Sequence, residues 1–267
     1  MGHNLLEGKK GIIFGALDDQ SMAWKVAEKA VEEGAKITLT NAPVALRMGQ
    51  IQELADSLNA EVIPADATSE EDLENLLSKS MEILGGPVDF ILHSIGMSVN
   101  VRKNKPYTEL NYSWMEKTFD VSAISFHKVM QTAMKLNAVN EWGSILALSY
   151  IAAQRTFPDY SEMAESKALL ESFARSFGYH WAVKNKVRVN TISQSPTMTT
   201  AGQGVKGFHE FFDYADKMSP LGNATADDCA DYCITLFSDY TRMVTMQNLY
   251  HDGGFSSMGM NPAILDK

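Results

Sequence analysis

Short apolar runs alternate with longer segments of helical period along this chain. Residues 11–15 read GIIFG and residues 145–148 read ILAL, and uninterrupted apolar runs are typical of strands buried on both faces of a parallel sheet. Strands are predicted over residues 11–15, 37–40, 61–65, 88–93, 143–149 and 187–192, with a last strand that ends near residue 254. Helices are predicted between them, over residues 22–33, 44–58, 111–136, 159–183 and 226–237, and another begins after the capping residue Ser69.

This alternation predicts one fold class. Six or seven strands joined by helix-length segments require crossover connections, and such connections are right-handed. The expected architecture is an α/β fold with a doubly wound, Rossmann-like parallel sheet of about seven strands, with helices on both faces. The length of 267 residues, of which 45% are hydrophobic, suits a single domain over residues 1–267.

Composition and charge exclude several classes of protein. The chain has 23 Lys and Arg against 33 Asp and Glu, a net charge of −10, which suits neither nucleic-acid nor membrane-surface binding. No apolar run approaches the ~20 residues of a spanning helix, and no signal peptide is evident. The two cysteines, Cys229 and Cys233, fit reduced side chains in a cytoplasmic protein. Six scattered histidines without a His-x-x-x-His motif predict no metal site.

In a doubly wound sheet, ligands bind beyond the carboxyl ends of the strands. After the first strand, Gly15 can form a tight turn, Ser21 can cap a helix or donate its hydroxyl, and Ala23 permits close packing of helix on strand. These features fit a dinucleotide pyrophosphate site, although the full G-x-G-x-x-G motif is absent. A purely structural turn is the alternative.

The next three strand ends refine the expected ligand. The second offers neither an acidic residue for the adenosine ribose nor a clamp for a 2′-phosphate, its nearest basic residue being Arg47, so NADH is favoured while NADPH stays open. Asp66, after the third strand, either accepts from the adenine amino group or caps the following turn. After the fourth strand, Gly96 permits close approach to a nicotinamide ribose, whereas His93 is expected to satisfy backbone groups.

The fifth strand end carries the most specific chemistry. It reads Ser149-Tyr150, followed by Tyr160 and Lys167. Seven helical residues make about two turns and rise roughly 10 Å, so Tyr160 at a helix start and Lys167 two turns on are expected to bracket one ligand. A lysine ammonium lowers the cost of a strongly donating phenol. Two tyrosines and a lysine beside a nicotinamide suit stabilisation of a developing oxyanion.

From about residue 6 to residue 255, the chain resembles the short-chain dehydrogenase/reductase superfamily and, more closely, its bacterial NADH-dependent enoyl-(acyl-carrier-protein) reductases. The most specific likeness is the spacing Tyr160-x6-Lys167, because ordinary members carry Tyr-x-x-x-Lys and the residue four before Lys167 is Met163. The other matching elements are Gly15-x5-Ser21, Asp66, His93-Ser94-Ile95-Gly96, Ser149-Tyr150 and the HDGGF sequence of residues 251–255.

The resemblance implies reduction of trans-2-enoyl thioesters in the last step of each fatty-acid elongation cycle. Hydride would pass from the nicotinamide to the β-carbon, and an enolate would form at the thioester oxygen. Tyr160 would donate to that enolate, Lys167 would hold the nicotinamide ribose, and Tyr150 would line the acyl pocket or assist.

The resemblance also implies the ligand contacts. Cofactor contacts are expected from Gly15, Ser21, Met22, Asp66, Ala67, Ser94, Ile95, Gly96, Lys167, Pro196, Thr197 and Thr199. Substrate contacts are expected from Ser98, Tyr150, Tyr160 and Met198. The implied partners are an acyl carrier protein bearing the enoyl thioester and further copies of the chain in a homotetramer.

Residues 195–220 match the family's substrate-binding loop and helices, which order over cofactor and substrate. Residues 202–204 suit a mobile lid. An apolar acyl chamber is one interpretation of the larger side chains in this region, and ordinary core packing is the other. The candidate chamber residues are Met198, Phe208, Phe211, Phe212 and Met218.

The chain departs from the family pattern at three places. Ala42 stands where better-known relatives have Gln beside the adenosine, and Ser195 and Thr197 replace the Gly and Ile of a Gly-Pro-Ile stretch. Relatives bind their acidic carrier protein with a basic cluster after the loop. Here Lys206 is present, but His209 and Glu210 occupy the adjacent matching positions, so the carrier docking surface is not located by the sequence.

Two other functions compete with enoyl reduction. A 3-oxoacyl or other carbonyl reductase of the same superfamily needs Tyr-x-x-x-Lys, which Met163 denies. A non-catalytic dinucleotide-binding regulator would tolerate loss of the tyrosine or the lysine, yet both are present.

Overall fold

The computed structural model describes residues 2–47, 49–204 and 207–265. Seven parallel strands form one sheet in the order β3-β2-β1-β4-β5-β6-β7. The order reverses direction between β1 and β4, which creates the crevice in which doubly wound folds bind ligands. The strands are β1 (Lys10–Phe14), β2 (Lys36–Thr40), β3 (Glu61–Val62), β4 (Val88–His93), β5 (Val139–Ser149), β6 (Arg188–Gln194) and β7 (Asn248–His251).

Eleven α-helices are formed by the described residues, together with several 3-10 turns. A π-helical turn (Asp120–Ile124) joins α6 to α7. The helices are α1 (Met22–Glu32), α2 (Pro43–Leu46), α3 (Ile51–Leu58), α4 (Glu70–Leu84), α5 (Val99–Arg102), α6 (Tyr112–Phe119), α7 (Ser125–Lys135), α8 (Met163–Asn185), α9 (Thr200–Gln203), α10 (Phe208–Met218) and α11 (Ala226–Phe237).

The sheet is covered on both faces, as the apolar runs predicted. One core contains side chains of α1, α3 and α11 against the sheet, including the free thiols Cys229 and Cys233. The other contains side chains of α4, α7 and α8, including the fully buried Trp181. The predicted α/β doubly wound class is therefore confirmed. No described helix is long and apolar enough to span a membrane.

Three predicted elements differ in extent, for identifiable reasons. The expected helix over residues 44–58 is divided at Gly49, where a Cβ would lie 2.6 Å from the Leu17 carbonyl oxygen. The Gln50 N–H donates to the same oxygen at 2.8 Å, so the loop after β1 breaks the helix. β3 ends at Val62, because Pro64 has no N–H to continue the ladder. The helix expected from residue 159 begins only at Met163.

Candidate cofactor and active site

A cavity of about 250 Å³ lies beyond the carboxyl ends of β5 and β6. It is lined by Tyr150, Tyr160 and Lys167, the three residues predicted from the end of the fifth strand, and by the segment after β6. Its lining residues are Met22, Leu148, Ser149, Tyr150, Phe157, Pro158, Asp159, Tyr160, Lys167, Gln194, Ser195, Pro196, Thr197, Thr199, Gly202, Gly207, Phe208 and Phe211.

Lys167 is the cation of this cavity and is buried, with 7% of its surface exposed. Its Nζ donates to the Leu148 carbonyl at 2.7 Å, which leaves two ammonium protons for a ligand. Burial lowers the pKa of Lys167 to about 8, against the opposing influence of the Glu171 carboxylate. Glu171 is itself buried and accepts from the Ser149 hydroxyl at 2.7 Å. At neutral pH the lysine is mostly cationic.

Tyr150 and Tyr160 pack against each other in the wall of the cavity, with ring centroids 5.0 Å apart. Phe157 packs on Tyr150 at 5.4 Å between centroids, which keeps the pair in an apolar environment. Burial raises the pKa of both phenols above the ordinary value, so both are neutral donors at pH 7. The Tyr150 hydroxyl has no hydrogen-bond partner among the described residues although it is buried.

The position of Tyr160 differs from the expectation. It lies in a 3-10 turn (Pro158–Tyr160) that precedes α8 rather than on the helix itself. Ser161 follows with φ 51° and ψ −142°, and α8 begins at Met163. The two residues converge on one cavity as predicted, but through a turn and a left-handed residue instead of one helical face.

The predicted pyrophosphate turn is closely packed. Gly15 has φ +94°, and a Cβ there would lie 2.0 Å from the carbonyl oxygen of Ser94. The Ser21 hydroxyl donates to the Asp18 carbonyl at 2.8 Å and accepts from the Leu17 N–H at 3.3 Å. It does not cap α1, so the first N–H groups of that helix, beginning at Met22, are open to an anion.

The third and fourth strand ends provide the remaining expected cofactor contacts. One Asp66 carboxylate oxygen accepts from both the N–H and the hydroxyl of Thr68, which fits the turn-capping alternative; the adenine contact stays a prediction. Ala67 is buried and Ile95 packs on the same core. Gly96 is exposed, and a Cβ there would lie 3.9 Å from Lys167 Nζ.

His93 is a structural residue in this arrangement. Its Nε2 is 2.8 Å from the Ser125 hydroxyl oxygen, so its partner is a side chain rather than the backbone expected from the sequence. Burial, followed by the charge of Lys167, lowers the pKa of His93 to about 3, which keeps the ring neutral. Within the described residues, no group of three or more His, Cys, Asp or Glu side chains could hold a metal ion.

The segment after β6 is built on hydrogen bonds made by the two unusual residues. Ser195 Oγ accepts from the Ala224 N–H at 2.9 Å, and Thr197 Oγ1 is 3.3 Å from the Ala224 carbonyl. Pro196 and Thr199 line the cavity on either side of Thr197. The Ser195-Pro196-Thr197 sequence therefore forms one wall of the cavity and is fixed to the loop before α11.

Two predicted substrate residues do not reach the cavity. The Ser98 hydroxyl donates its proton to Glu162 Oε1 at 2.6 Å and accepts from the Val101 N–H, so that it has no proton left for a thioester. Met198 is 41% exposed and is not part of the lining.

The expected acyl chamber is formed only in part. Phe208 and Phe211 line the cavity, whereas Phe212 and Met218 do not. Lys206 lies outside the described residues.

Sequence reasoning missed several residues of the site. Gln194 was placed beyond the end of β6, but it is within the strand, and its side-chain oxygen is 2.7 Å from His251 Nδ1. Glu171 lies four residues after Lys167 on α8, a helical spacing that could have identified it. Phe157 and Glu162 have no comparable signal in the sequence, because their roles depend on contacts between distant segments.

These groups fit a dinucleotide ending in nicotinamide. Three groups lie along one edge of the sheet. They are the open N-terminus of α1, the backbone turn at Gly15, which is too tight for any side chain, and the buried Lys167 ammonium with two unused protons. Each offers what a pyrophosphate or a ribose needs. No basic side chain stands at the end of β2, where Arg47 Nε instead donates to the Pro43 carbonyl at 3.4 Å.

Comparison with known proteins gives consistent results. The sequence profile of the family described as Enoyl-(Acyl carrier protein) reductase matches residues 15–256. The FabI–NADH complex from Alistipes finegoldii is 64% identical, with a TM-score of 0.98 over 99% of this chain and 94% of that one. The Bacillus cereus enoyl-acyl carrier protein reductase, solved with NADP⁺ and indole naphthyridinone, is 28% identical, with a TM-score of 0.89 over 97% of this chain and 100% of that one.

A curated relative extends this similarity in sequence. The Aquifex aeolicus protein named enoyl-(acyl-carrier-protein) reductase (NADH) FabI is 31% identical over 96% of this chain and 94% of its own length. Together with the family profile, which covers most of the chain from the first glycine turn to the last strand, this match shows that the chain belongs to the enoyl-(acyl-carrier-protein) reductase family.

Proposed function

We propose that this protein is an NADH-dependent reductase of trans-2-enoyl-(acyl-carrier-protein) thioesters, acting in the last step of the fatty-acid elongation cycle. The observation that carries this proposal is the convergence of Tyr150, Tyr160 and Lys167 on one apolar cavity beyond the carboxyl ends of β5 and β6. The relatives described above are named for this reaction. Met163 stands where a carbonyl reductase would carry its tyrosine.

NADH would supply the hydride to the β-carbon when bound, and this chain's residues would manage the resulting charge at the thioester oxygen. Tyr160, kept protonated by burial, donates a hydrogen bond to the enolate oxygen or protonates it. Lys167 stabilises the phenol's partial negative charge and binds a ribose hydroxyl. Tyr150 and Phe157 exclude water from the reacting end, which strengthens these interactions.

The proposed cofactor contacts follow the sheet edge. The turn at Gly15, the N-cap residue Ser21 and the first N–H groups of α1, beginning at Met22, would form the pyrophosphate site. The nicotinamide ribose would lie over Gly96 and Lys167. Asp66 and Ala67, then Ser94 and Ile95, and finally Pro196, Thr197 and Thr199 would complete the binding surface from adenine to nicotinamide.

Cofactor absorbance tests the reaction directly. The purified protein is mixed with a trans-2-enoyl thioester or a 3-oxoacyl thioester, each with NADH or NADPH. Oxidation of NADH with the enoyl substrate alone is the expected result. Turnover of only the oxo substrate would support the carbonyl reductase, and no turnover of either would support the binding protein. NADPH is included because the Bacillus cereus structure holds NADP⁺.

We further propose that the acyl carrier protein docks on a basic loop formed by residues 102–105. Arg102, Lys103 and Lys105 are exposed, and none forms an ion pair with a described residue. Three unpaired cations within four residues are a local exception in a chain of net charge −10 and complement an acidic carrier.

The basic loop also lies close in the sequence to a second cavity, which adjoins the active-site cavity. Two residues after the loop, Tyr107 forms one wall of this second cavity of about 570 Å³, and Arg155 forms another. This cavity shares Phe157 and Pro158 with the active-site cavity. A carrier bound to the loop would therefore stand next to the wall through which its acyl arm must reach Tyr160.

The remaining proposals concern assembly and setting. A homotetramer in the cytoplasm is proposed, with α8 as part of its contacts, because Tyr179 and Val183 of that helix are 58% and 66% exposed. Sedimentation equilibrium tests the assembly.

The segment over residues 195–220 is proposed to act as a substrate lid within a single domain. Cleavage of this segment by a protease, measured with and without NADH, tests that role. Identical cleavage in both states would contradict it.

A further inference from the structure

Glu162 is a buried carboxylate that the reaction described above does not use. It is 0% exposed and lies two residues after Tyr160, directly before α8. Its Oε1 accepts from Ser98 Oγ at 2.6 Å and from Asn100 Nδ2 at 3.0 Å. Thr118 Oγ1 also lies 3.0 Å from it and shares its one proton between Glu162 and the Trp114 carbonyl, which is 2.9 Å away. Buried carboxylates are rare unless they are paired or hydrogen-bonded for a reason.

The three donors belong to segments that are distant in sequence. Ser98 caps α5 in the loop after β4, and Thr118 lies near the end of α6. Asn100 additionally donates to the Asn111 carbonyl at 3.2 Å and accepts from the Asn111 N–H at 3.0 Å. All three donors are buried. One carboxylate oxygen therefore joins the start of α8 to the loop after β4 and to α6.

The carboxylate remains ionised in this setting. Burial raises the pKa of Glu162, but the hydrogen bonds from Ser98 and Asn100 outweigh it and hold the pKa below the ordinary value. Its Oε2 is buried and has no hydrogen-bond partner among the described residues. The distant segments that hold the side chain are therefore the loop after β4 and α6.

The backbone between Tyr160 and Glu162 is strained. Ser161 has φ 51° and ψ −142°, a conformation that glycine adopts easily and a residue with a Cβ does not. Such a conformation persists only where neighbouring contacts enforce it. On the Tyr160 side, the chain is held by the hydrogen bond from the Tyr160 N–H to the Phe157 carbonyl at 3.0 Å. On the other side, the Ser161 carbonyl accepts from the Ala164 N–H at 3.1 Å, and the adjacent side chain that is hydrogen-bonded to distant segments is that of Glu162.

We propose that Glu162 is a positioning residue, whose buried hydrogen bonds to Ser98, Asn100 and Thr118 enforce the strained turn at Ser161 and so present Tyr160 to the substrate. The inference rests on the proposed function of Tyr160 as the donor to the enolate. Glu162 touches neither substrate nor cofactor, and its effect is transmitted through the backbone of Ser161.

Steady-state kinetics of three Glu162 variants test the proposal. Glu162→Ala is expected to lower kcat by about 10-fold to 100-fold, the effect of a misplaced reacting group, with KM for NADH changed by less than about twofold. Glu162→Gln keeps an acceptor for the three donors and is expected to retain kcat within about threefold. Adding Ser161→Gly to Glu162→Ala is expected to recover at least about fivefold of the lost kcat, because glycine adopts the turn without strain.

Glu165→Gln is the matched control. It makes the same chemical change three residues further along, where the carboxylate accepts from the Tyr107 hydroxyl at 2.6 Å instead, and its kcat is expected to match wild type. Equal losses in Glu165→Gln and Glu162→Ala, or a kcat of Glu162→Ala within twofold of wild type, would overturn the positioning role. Failure of Ser161→Gly to recover any activity would also overturn it, since the strained turn would not be the link.

Two further measurements keep the outcomes separate. If Glu162→Ala does not fold, Thr118→Val removes one donor without changing the shape of the side chain, and a kcat equal to wild type in that variant would overturn the proposal. The wild type is measured in parallel. A wild type that does not reduce the enoyl thioester contradicts the proposed function, whereas an active wild type with an equally active Glu162→Ala contradicts only the positioning role.

Discussion

Replacement of Lys167 by methionine is expected to abolish turnover and yet to stabilise the cofactor-free protein. The buried ammonium has a pKa of about 8 instead of 10.5. At about 1.4 kcal/mol per pH unit, this difference corresponds to a destabilisation of about 3 kcal/mol when the lysine is charged. Methionine fills nearly the same volume without a charge. It loses the hydrogen bond to the Leu148 carbonyl, which offsets about 1 kcal/mol, so the expected net gain at pH 7 is about 2 kcal/mol.

The pH dependence of this gain has a definite sign. The folded protein releases the Lys167 proton at a lower pH than the unfolded chain does. The destabilisation is therefore complete below about pH 8 and disappears as the pH rises from there through 10.5. The difference in free energy of unfolding between the Lys167→Met variant and wild type should be constant from pH 6 to about pH 8 and smaller at pH 9.5.

Urea unfolding at matched protein concentrations measures this difference, because contributions of the other titrating groups cancel between variant and wild type. Lys135→Met is the control: that side chain is 67% exposed and pairs with Glu74 on the surface, so a change within about 0.5 kcal/mol is expected. A Lys167→Met protein less stable than wild type by more than about 1 kcal/mol, or a stability difference that does not change between pH 7 and pH 9.5, would refute this reasoning.

Four further predictions concern the site and the basic loop. Tyr160→Phe is expected to lower kcat by about 10²-fold or more, as loss of a proton donor does. Tyr150→Phe removes a buried hydroxyl that has no partner among the described residues, so the free energy of unfolding in urea should be equal or higher. A loss of stability above about 1 kcal/mol would contradict this. Gly15→Ala should lower stability by more than about 2 kcal/mol, because its Cβ would lie 2.0 Å from a carbonyl oxygen. Gly96→Ala should fold normally and bind NADH more weakly, as measured by fluorescence titration. Equal stability of the two variants would contradict the packing argument. Reversing the three charges of the basic loop should raise KM at least about tenfold for the carrier-bound enoyl substrate and leave KM for a short thioester unchanged; equal effects on both substrates would contradict docking there.

The fold was largely predictable because its signals are local. Runs such as residues 11–15 and 145–148 contain no polar side chain, and their burial in a parallel sheet follows from that pattern alone. The division of the helix at Gly49 was not predictable, because it depends on the Leu17 carbonyl, which belongs to another loop. Helix boundaries set by contacts between distant segments leave no pattern in the local sequence.

The place of Tyr150, Tyr160 and Lys167 in one cavity was predictable, whereas the contacts of other predicted residues were not. Position at a strand end identified Gly15 and Gly96, since topology brings such positions to one edge. Spacing could not show that the Ser98 hydroxyl donates its proton to Glu162. It also could not show that Met198 is exposed and is not part of the cavity lining. A residue's place in the chain predicts the edge on which it lies, whereas the use of its protons depends on partners that only the folded structure identifies.

The Tyr160-x6-Lys167 spacing illustrates how a prediction can identify the right residues through the wrong geometry. Two helical turns would separate the two residues by roughly 10 Å along one axis. The structure instead places Tyr160 in a 3-10 turn, gives Ser161 a positive φ, and begins the helix at Met163. Both side chains then line one cavity. The strained backbone of Ser161 lies between this turn and the helix. A substitution that displaces the turn, as Glu162→Ala is proposed to do, should therefore lower the activity without disturbing the helix that carries Lys167, whereas Ser161→Gly keeps the turn and relieves its strain.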